Sequence, residues 1–194
     1  MSEQKGKPKA IKPTVNEIYE QYIKDEILRK NTERLFEIAR EHKMKNRCIS
    51  RNSYTFTYRG NHVFNITMRG DKHYAAGFKD RELTNHLHIL LCIGNKENAE
   101  KILSAFPAEI RAEYVNNTII SCKVCAGTPE GRVIRNLTCD NVLDFNESGK
   151  IHHLCTVNFG YACHNPSTEQ FKIIEQMIMA RINAIDLEKS KNKQ

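Results

Sequence analysis

The sequence lacks the local motifs that identify the commonest enzyme classes. It has no Gly-x-Ser-x-Gly nucleophile elbow, no Gly-x-x-x-x-Gly-Lys phosphate loop, no Gly-x-Gly-x-x-Gly dinucleotide turn and no His-Glu-x-x-His zinc helix. Each motif holds a nucleophile, backbone amides or metal ligands at a fixed spacing. Their absence therefore argues against the enzyme classes that depend on these motifs. The absence leaves open an enzyme whose catalytic residues meet only in the fold.

Long apolar segments are also missing. No stretch reaches the roughly 18 consecutive apolar residues that a membrane-spanning helix needs, which argues against an integral membrane protein. The first seven residues are polar and precede no apolar secretory segment, so we expect a cytoplasmic location. In a reducing compartment the seven cysteines are expected as buried thiols, metal ligands or redox groups rather than as structural disulfides.

Positive charge is concentrated at the ends of the chain. Of the net charge of +7, residues 1–13 carry +3 and residues 186–194 carry +1, which leaves +3 for the 172 residues between them. We predict a disordered basic arm over residues 1–13 and a flexible tail over residues 187–194, both solubilising. A nucleic-acid partner for these ends is the weaker alternative.

Residues 14–45 have the apolar spacing of an amphipathic helix. Thr14 is a candidate N-cap, and Glu17 would complete a capping box. Asn31-Thr32 could cap a new helix, so the pattern fits either one kinked helix or two consecutive helices. Apolar side chains recur at helical spacing, at Val15, Ile18, Tyr19, Tyr22, Ile23 and Ile27 and again at Leu35, Phe36, Ile38 and Ala39.

The apolar period then changes to two, which predicts a β-hairpin at about residues 53–68. Its turn is expected at Arg59-Gly60-Asn61, where Gly60 and Asn61 would supply the positive φ. Residues 86–93 predict a further strand and residues 71–78 an additional one, and Asn95 and Pro107 mark the starts of two short helices.

The firmest expected element is a C-terminal helix over residues 167–186. Ser167 and Gln170 form a capping box after Asn165-Pro166, and an apolar stripe follows at Phe171, Ile174, Ile178, Ile182 and Ile185. The sequence therefore predicts one α+β domain over residues 14–186, with a long N-terminal helix, a mostly antiparallel sheet and a Cys-rich subdomain at about residues 116–165.

The Cys-rich subdomain predicts a structural zinc site. Cys122-Lys-Val-Cys125 has the spacing of a zinc knuckle, in which two thiolates hold one side of a tetrahedral ion. We favour Cys139 and Cys155 as the second pair of ligands. The alternatives for the fourth ligand are Cys163, His152 and His153, and His164 is a further imidazole nearby.

Two other interpretations of these cysteines remain. A redox dithiol is disfavoured, because Cys125 is followed by turn-forming residues 126–131 rather than by the helix whose N-terminus would lower a thiol pKa. Alternatively, the cysteines are small buried hydrophobes without a metal.

The C-terminal third resembles a group of small uncharacterised bacterial proteins. The resemblance lies in Cys122-x-x-Cys125, a glycine-bearing segment, Cys155 before an aromatic strand, and Asn165-Pro166 before a terminal amphipathic helix. It implies a shared fold and no activity. The pattern of the group assigns neither Cys139 nor Cys163.

Two functional hypotheses follow. The first is a zinc-stabilised binding or regulatory module of unknown partner, and the alternative is a metal- or thiol-dependent enzyme whose site is assembled only in the fold. A secondary candidate site is the strand at residues 86–93, where alternation places His86, His88 and Cys92 on the face opposite Leu87, Ile89 and Leu91. Solvated strand histidines without a function are the commoner explanation of that pattern.

Overall fold

The computed structural model describes residues 14–50, 52–69, 86–117, 139–156 and 160–191. These residues form an α+β fold, as predicted. The helices are α1 (Val15–Tyr22), α2 (Glu26–Glu41), α3 (Lys96–Ala105), α4 (Ala108–Asn116) and α5 (Thr168–Lys191). The strands are β1 (Lys45–Ser50), β2 (Ser53–Tyr58), β3 (Asn61–Arg69), β4 (His86–Leu91), β5 (Val142–Glu147), β6 (Lys150–Cys155) and β7 (Tyr161–His164).

The strands form two antiparallel sheets. The larger sheet has the order β1-β2-β3-β4-β7, and β5 pairs with β6 in a separate two-stranded sheet. Strand β7 therefore joins the large sheet after the chain has passed through α3, α4 and the small sheet. The mostly antiparallel arrangement was expected, but the β5–β6 sheet and β7 were not.

One face of the large sheet forms the core with the helices. Strand alternation puts eight large apolar side chains on this face, namely Tyr54, Phe56, Phe64, Ile66, Met68, Leu87, Ile89 and Leu91. The apolar stripe of α5 is buried in the same core, which confirms the predicted amphipathic helix. Helix α5 begins with the predicted Ser167–Gln170 capping box. It continues to Lys191, so residues 187–191 of the expected tail are helical.

The N-terminal segment consists of two helices, and the break lies earlier than Asn31-Thr32. The Thr14–Glu17 capping box of α1 is present as predicted. Helix α2 begins after Asp25, whose side chain accepts a hydrogen bond from the Leu28 amide at 2.8 Å. Thr32 lies buried within α2, and its hydroxyl donates to the Leu28 carbonyl at 2.6 Å rather than capping a helix.

The β2–β3 hairpin is present, but its turn has two residues rather than three. Arg59 and Gly60 adopt positive φ angles of 48° and 83°, and Tyr58 pairs with Asn61 as the first residue of β3. Two consecutive positive φ angles match the right-handed twist of the flanking strands. The expected strand at residues 71–78 and the arm at residues 1–13 lie outside the described residues.

No helix among the described residues combines the length and the hydropathy that crossing a bilayer requires.

Candidate metal centre and the polar sheet face

Cys139 and Cys155 lie at the same open end of the β5–β6 hairpin. Cys155 pairs with Val142, and the Val142 amide donates a hydrogen bond to the Cys139 carbonyl at 2.9 Å. The Thr156 amide and hydroxyl both donate to the Asn141 carbonyl, at 3.0 and 2.9 Å. These bonds hold the two cysteine-bearing segments side by side. The structure thus places the two described members of the predicted ligand set at one end of this hairpin.

The local sequence explains this hairpin, although we did not predict it. Leu143 and Phe145 are buried while Asp144 and Asn146 are exposed, which is the alternation of a strand with one buried face. Ser148 and Gly149 form the turn with φ angles of 53° and 82°. The signal that could have revealed the hairpin is the alternation of apolar and polar residues at 143–146 followed by the turn residues Ser148 and Gly149. It lies within a segment that is otherwise rich in turn residues.

The pairing register separates the two candidate histidines. His153 is directly opposite Asp144, two residues before Cys155, so it shares the Cys155 face of the hairpin. His152 is opposite Phe145 on the other face, which packs into the core. Of the two imidazoles, only His153 is therefore placed to join Cys155 around one ion.

An aspartate orients His153. Its Nδ1 lies 2.7 Å from Oδ1 of Asp144, and both side chains are solvent-accessible. A carboxylate only accepts hydrogen bonds, so Nδ1 is the donor in this contact, and the neutral form of this tautomer carries its free lone pair on Nε2. A histidine held in this way has the arrangement that commonly supports a zinc ligand.

The described residues do not by themselves complete a metal site. No three His, Cys, Asp or Glu side chains among them form a group that could hold an ion. Cys122 and Cys125, the predicted first pair, lie outside the described residues. The zinc site thus stays a prediction, and of its four predicted ligands only Cys139 and Cys155 lie among the described residues.

The other described thiols are packed. Cys163 pairs with Ile89 in the large sheet and lies in the core, where burial raises its pKa to about 11. Cys92, just beyond β4, is also buried, and burial raises its pKa. A raised pKa keeps a thiol protonated and disfavours both nucleophilic and metal-binding roles. Cys163 therefore fits the packing interpretation. Cys155 is buried to a similar extent, and what distinguishes the two is that Cys163 belongs to the large sheet whereas Cys155 lies at the open end of the small hairpin.

The second face of the large sheet is polar and carries a pair of stacked histidines. His88 pairs with His164 across β4 and β7, and their ring centroids are 3.9 Å apart with the planes within 6° of parallel. Thr67 flanks His88 on β3 and shares a 2.8 Å hydrogen bond with Ser53. Leu87, Ile89 and Leu91 point to the opposite, buried face, as predicted. The pairing of His164 with His88 could not be predicted from the local pattern, because the two strands are distant in the chain.

Comparison with models of protein families, with curated proteins and with solved structures finds no match for this chain. Its function has to be inferred from its own residues.

An ion pair anchors the small hairpin to α4. Arg111 on α4 donates to both carboxylate oxygens of Glu147, at the turn end of β5, and to the Phe106 carbonyl at 2.6 Å. The hydrogen bond from Arg111 lowers the pKa of Glu147 below its ordinary value of 4.5. The hairpin is therefore fixed at its turn end by charge, and the cysteines lie at its opposite end.

This ion pair predicts a pH dependence of stability. A lowered folded-state pKa stabilises the protein above pH 4.5, and that contribution disappears as the pH falls through the folded-state value. We expect Glu147→Gln to lower the melting temperature at pH 7, and its difference from wild type to shrink steadily below about pH 4.5. Glu100→Gln, at an exposed position of α3, is the control and should show no such convergence. If the melting temperatures of Glu147→Gln and wild type still differ as much at pH 3 as at pH 7, the ion pair is not the source of the difference.

Proposed function

We propose that the protein is a zinc-stabilised binding or regulatory module in which Cys122, Cys125, Cys139 and Cys155 hold one Zn²⁺. The observation that carries the proposal is the position of Cys139 and Cys155 at one end of the β5–β6 hairpin. Cys48 and Cys163 belong instead to strands of the large sheet, Cys48 to β1 and Cys163 to β7. Four thiolates in tetrahedral geometry would form a closed structural site.

A bound metal ion would stabilise the small hairpin. A two-stranded sheet is marginally stable in water unless other groups support it. Leu143, Phe145 and Leu154 join the core, and Arg111 holds the turn end, so the open end is the part that a metal would stabilise. A zinc ion bound there would link this end to the Cys122–Cys125 knuckle.

A metal-dependent enzyme is the second candidate function, and the exposed Asp144–His153 pair favours it. If His153 replaces one cysteine, or if only three protein ligands bind, the ion would sit near the solvent-accessible edge of the hairpin. An open fourth position can hold a water molecule, whose pKa zinc lowers to near 7. The two candidates therefore differ in coordination number rather than in location.

Metal analysis of the purified protein tests the proposal. Reduced protein prepared without chelators should contain about one zinc per chain. Cys155→Ser and the double variant Cys122→Ser/Cys125→Ser should lose the metal, whereas Cys48→Ser, on β1 of the large sheet, should retain it. X-ray absorption would then distinguish four sulfur ligands from three sulfurs with one nitrogen. Protein free of zinc and of iron after such a preparation would refute both candidate functions.

A further inference from the structure

A cleft of about 740 Å³ lies where the C-terminus of α2 meets the β2–β3 turn and the end of α5. None of its lining residues belongs to the small hairpin or to the Cys-rich segment. Its volume is in the range of sites that bind small molecules, and it is open to solvent on one side. Its walls are unusually basic, with Lys43, Lys45, Arg59 and Lys189 against the single carboxylate of Glu41.

The two other charged groups of the cleft are already paired. Arg59 contacts Asp186 at 3.1 Å, and Glu41 contacts Arg34 at 3.2 Å. The three lysines are exposed, and none has a carboxylate partner among the described residues. Three uncompensated ammonium groups around one concavity generate a positive potential that attracts an anion.

The three lysines come from three different elements. Lys43 follows α2 with a positive φ of 52°, Lys45 begins β1, and Lys189 is in the last turn of α5. The fold therefore gathers charges that are as much as 146 residues apart in the sequence. The wall between them contains Tyr58, whose ring meets His42 edge to face at 6.1 Å. An aromatic wall beside ammonium groups suits a ligand with an anionic part and a flat part.

We propose that this cleft binds a small phosphate-bearing ligand with at least two phosphoryl groups. Each lysine can donate up to three hydrogen bonds to phosphoryl oxygens, and the multiple negative charges match the three uncompensated positive charges. The ligand is either an inorganic polyphosphate or a nucleotide, since both offer the same anionic chemistry. A nucleotide would also meet the Tyr58 ring, over which the Arg59 guanidinium lies at 5.3 Å from the ring centroid. The proposal does not depend on the zinc site.

Calorimetric titration with inorganic triphosphate and with a nucleoside triphosphate tests the proposal. Wild-type protein should bind one equivalent at low ionic strength, and binding should weaken as salt screens the lysines. Lys43→Asn/Lys189→Gln should weaken the affinity roughly tenfold or more. Asparagine at residue 43 removes the charge and tolerates the positive φ. If the nucleoside triphosphate binds more tightly than inorganic triphosphate, the ligand is a nucleotide. If the two bind equally, the ligand is an inorganic polyphosphate.

A matched control removes the same net charge elsewhere. Lys96→Gln/Lys150→Gln alters two exposed lysines outside the cleft and should leave the affinity within about twofold of wild type. Melting curves of both double variants would establish whether each one is folded. Equal losses in the two variants, or no saturable binding by wild-type protein, would overturn the proposal. A single-stranded oligonucleotide that binds more tightly than either triphosphate, with the same dependence on Lys43 and Lys189, would also overturn it and identify a nucleic-acid site.

Discussion

Replacement of Ile174 by aspartate is expected to cost more than about 4 kcal/mol of unfolding free energy. Ile174 belongs to the apolar stripe of α5 and has no exposed surface. The substitution removes a buried aliphatic side chain, which alone costs about 2–5 kcal/mol when it leaves a cavity, and adds a carboxyl group without a partner. Because typical domains are stable by only about 5–15 kcal/mol, much of the protein should be unfolded at 37 °C.

Asn183→Asp provides the control on the same helix. Asn183 is exposed, so the same aspartate introduced there should change the stability by no more than about 0.5 kcal/mol. Urea denaturation followed by circular dichroism measures both variants. A wild-type midpoint for Ile174→Asp would mean that α5 does not pack on the sheet as the structure shows.

The elements with strong periodicity could be predicted because local pattern and tertiary packing agree there. Helix α5 repeats its apolar residues over about four turns, and the β2–β3 hairpin alternates on both sides of a glycine-containing turn. In both cases the side chains that set the pattern are those that the core buries. Local and global preferences that agree leave little room for an alternative structure.

The helix break was misplaced because two capping signals competed. Asp25 and Thr32 are both acceptable N-cap residues by type, and both are followed by apolar residues at helical spacing. Packing decides between them, since Thr32 is fully buried while Ile23, just before Asp25, ends α1 and enters the core. That choice depends on contacts distant in sequence, which a local pattern does not contain.

The candidate metal site was predicted only as a set of residue types, and the basic cleft was not predicted at all. Spacing suggested Cys139 and Cys155, but the register of β5 and β6 was needed to separate His153 from His152. Likewise, Lys43, Lys45 and Lys189 had no special meaning in the sequence, because the first two lie in a body of nearly balanced charge and Lys189 lies in the tail that was expected to be solubilising. Their convergence follows from the crossing of α5 over the β2–β3 turn, a long-range contact.

If the proposed zinc is bound, its removal is expected to destabilise the small hairpin selectively. Structural zinc contributes an apparent binding free energy of about 10–16 kcal/mol, comparable with the whole stability of a domain. The open end of β5–β6 carries Cys139 and Cys155, whereas β2–β3 lies in the centre of the core sheet. A strong chelator should therefore raise amide exchange in residues 142–155 by at least a hundredfold and leave Phe64 and Ile66 protected.

Variants separate metal binding from simple packing of the thiols. Cys155→Ser should show the fast hairpin exchange without chelator, because serine is a much poorer zinc ligand than a thiolate. Cys163→Ser removes a thiol that is buried to a similar extent but belongs to the large sheet, so it should lower the overall stability while the hairpin still responds to the chelator. If chelation leaves hairpin exchange unchanged in wild-type protein, the two cysteines at its open end stabilise the fold by burial alone. The hairpin would then depend on Leu143, Phe145, Leu154 and the Arg111–Glu147 ion pair.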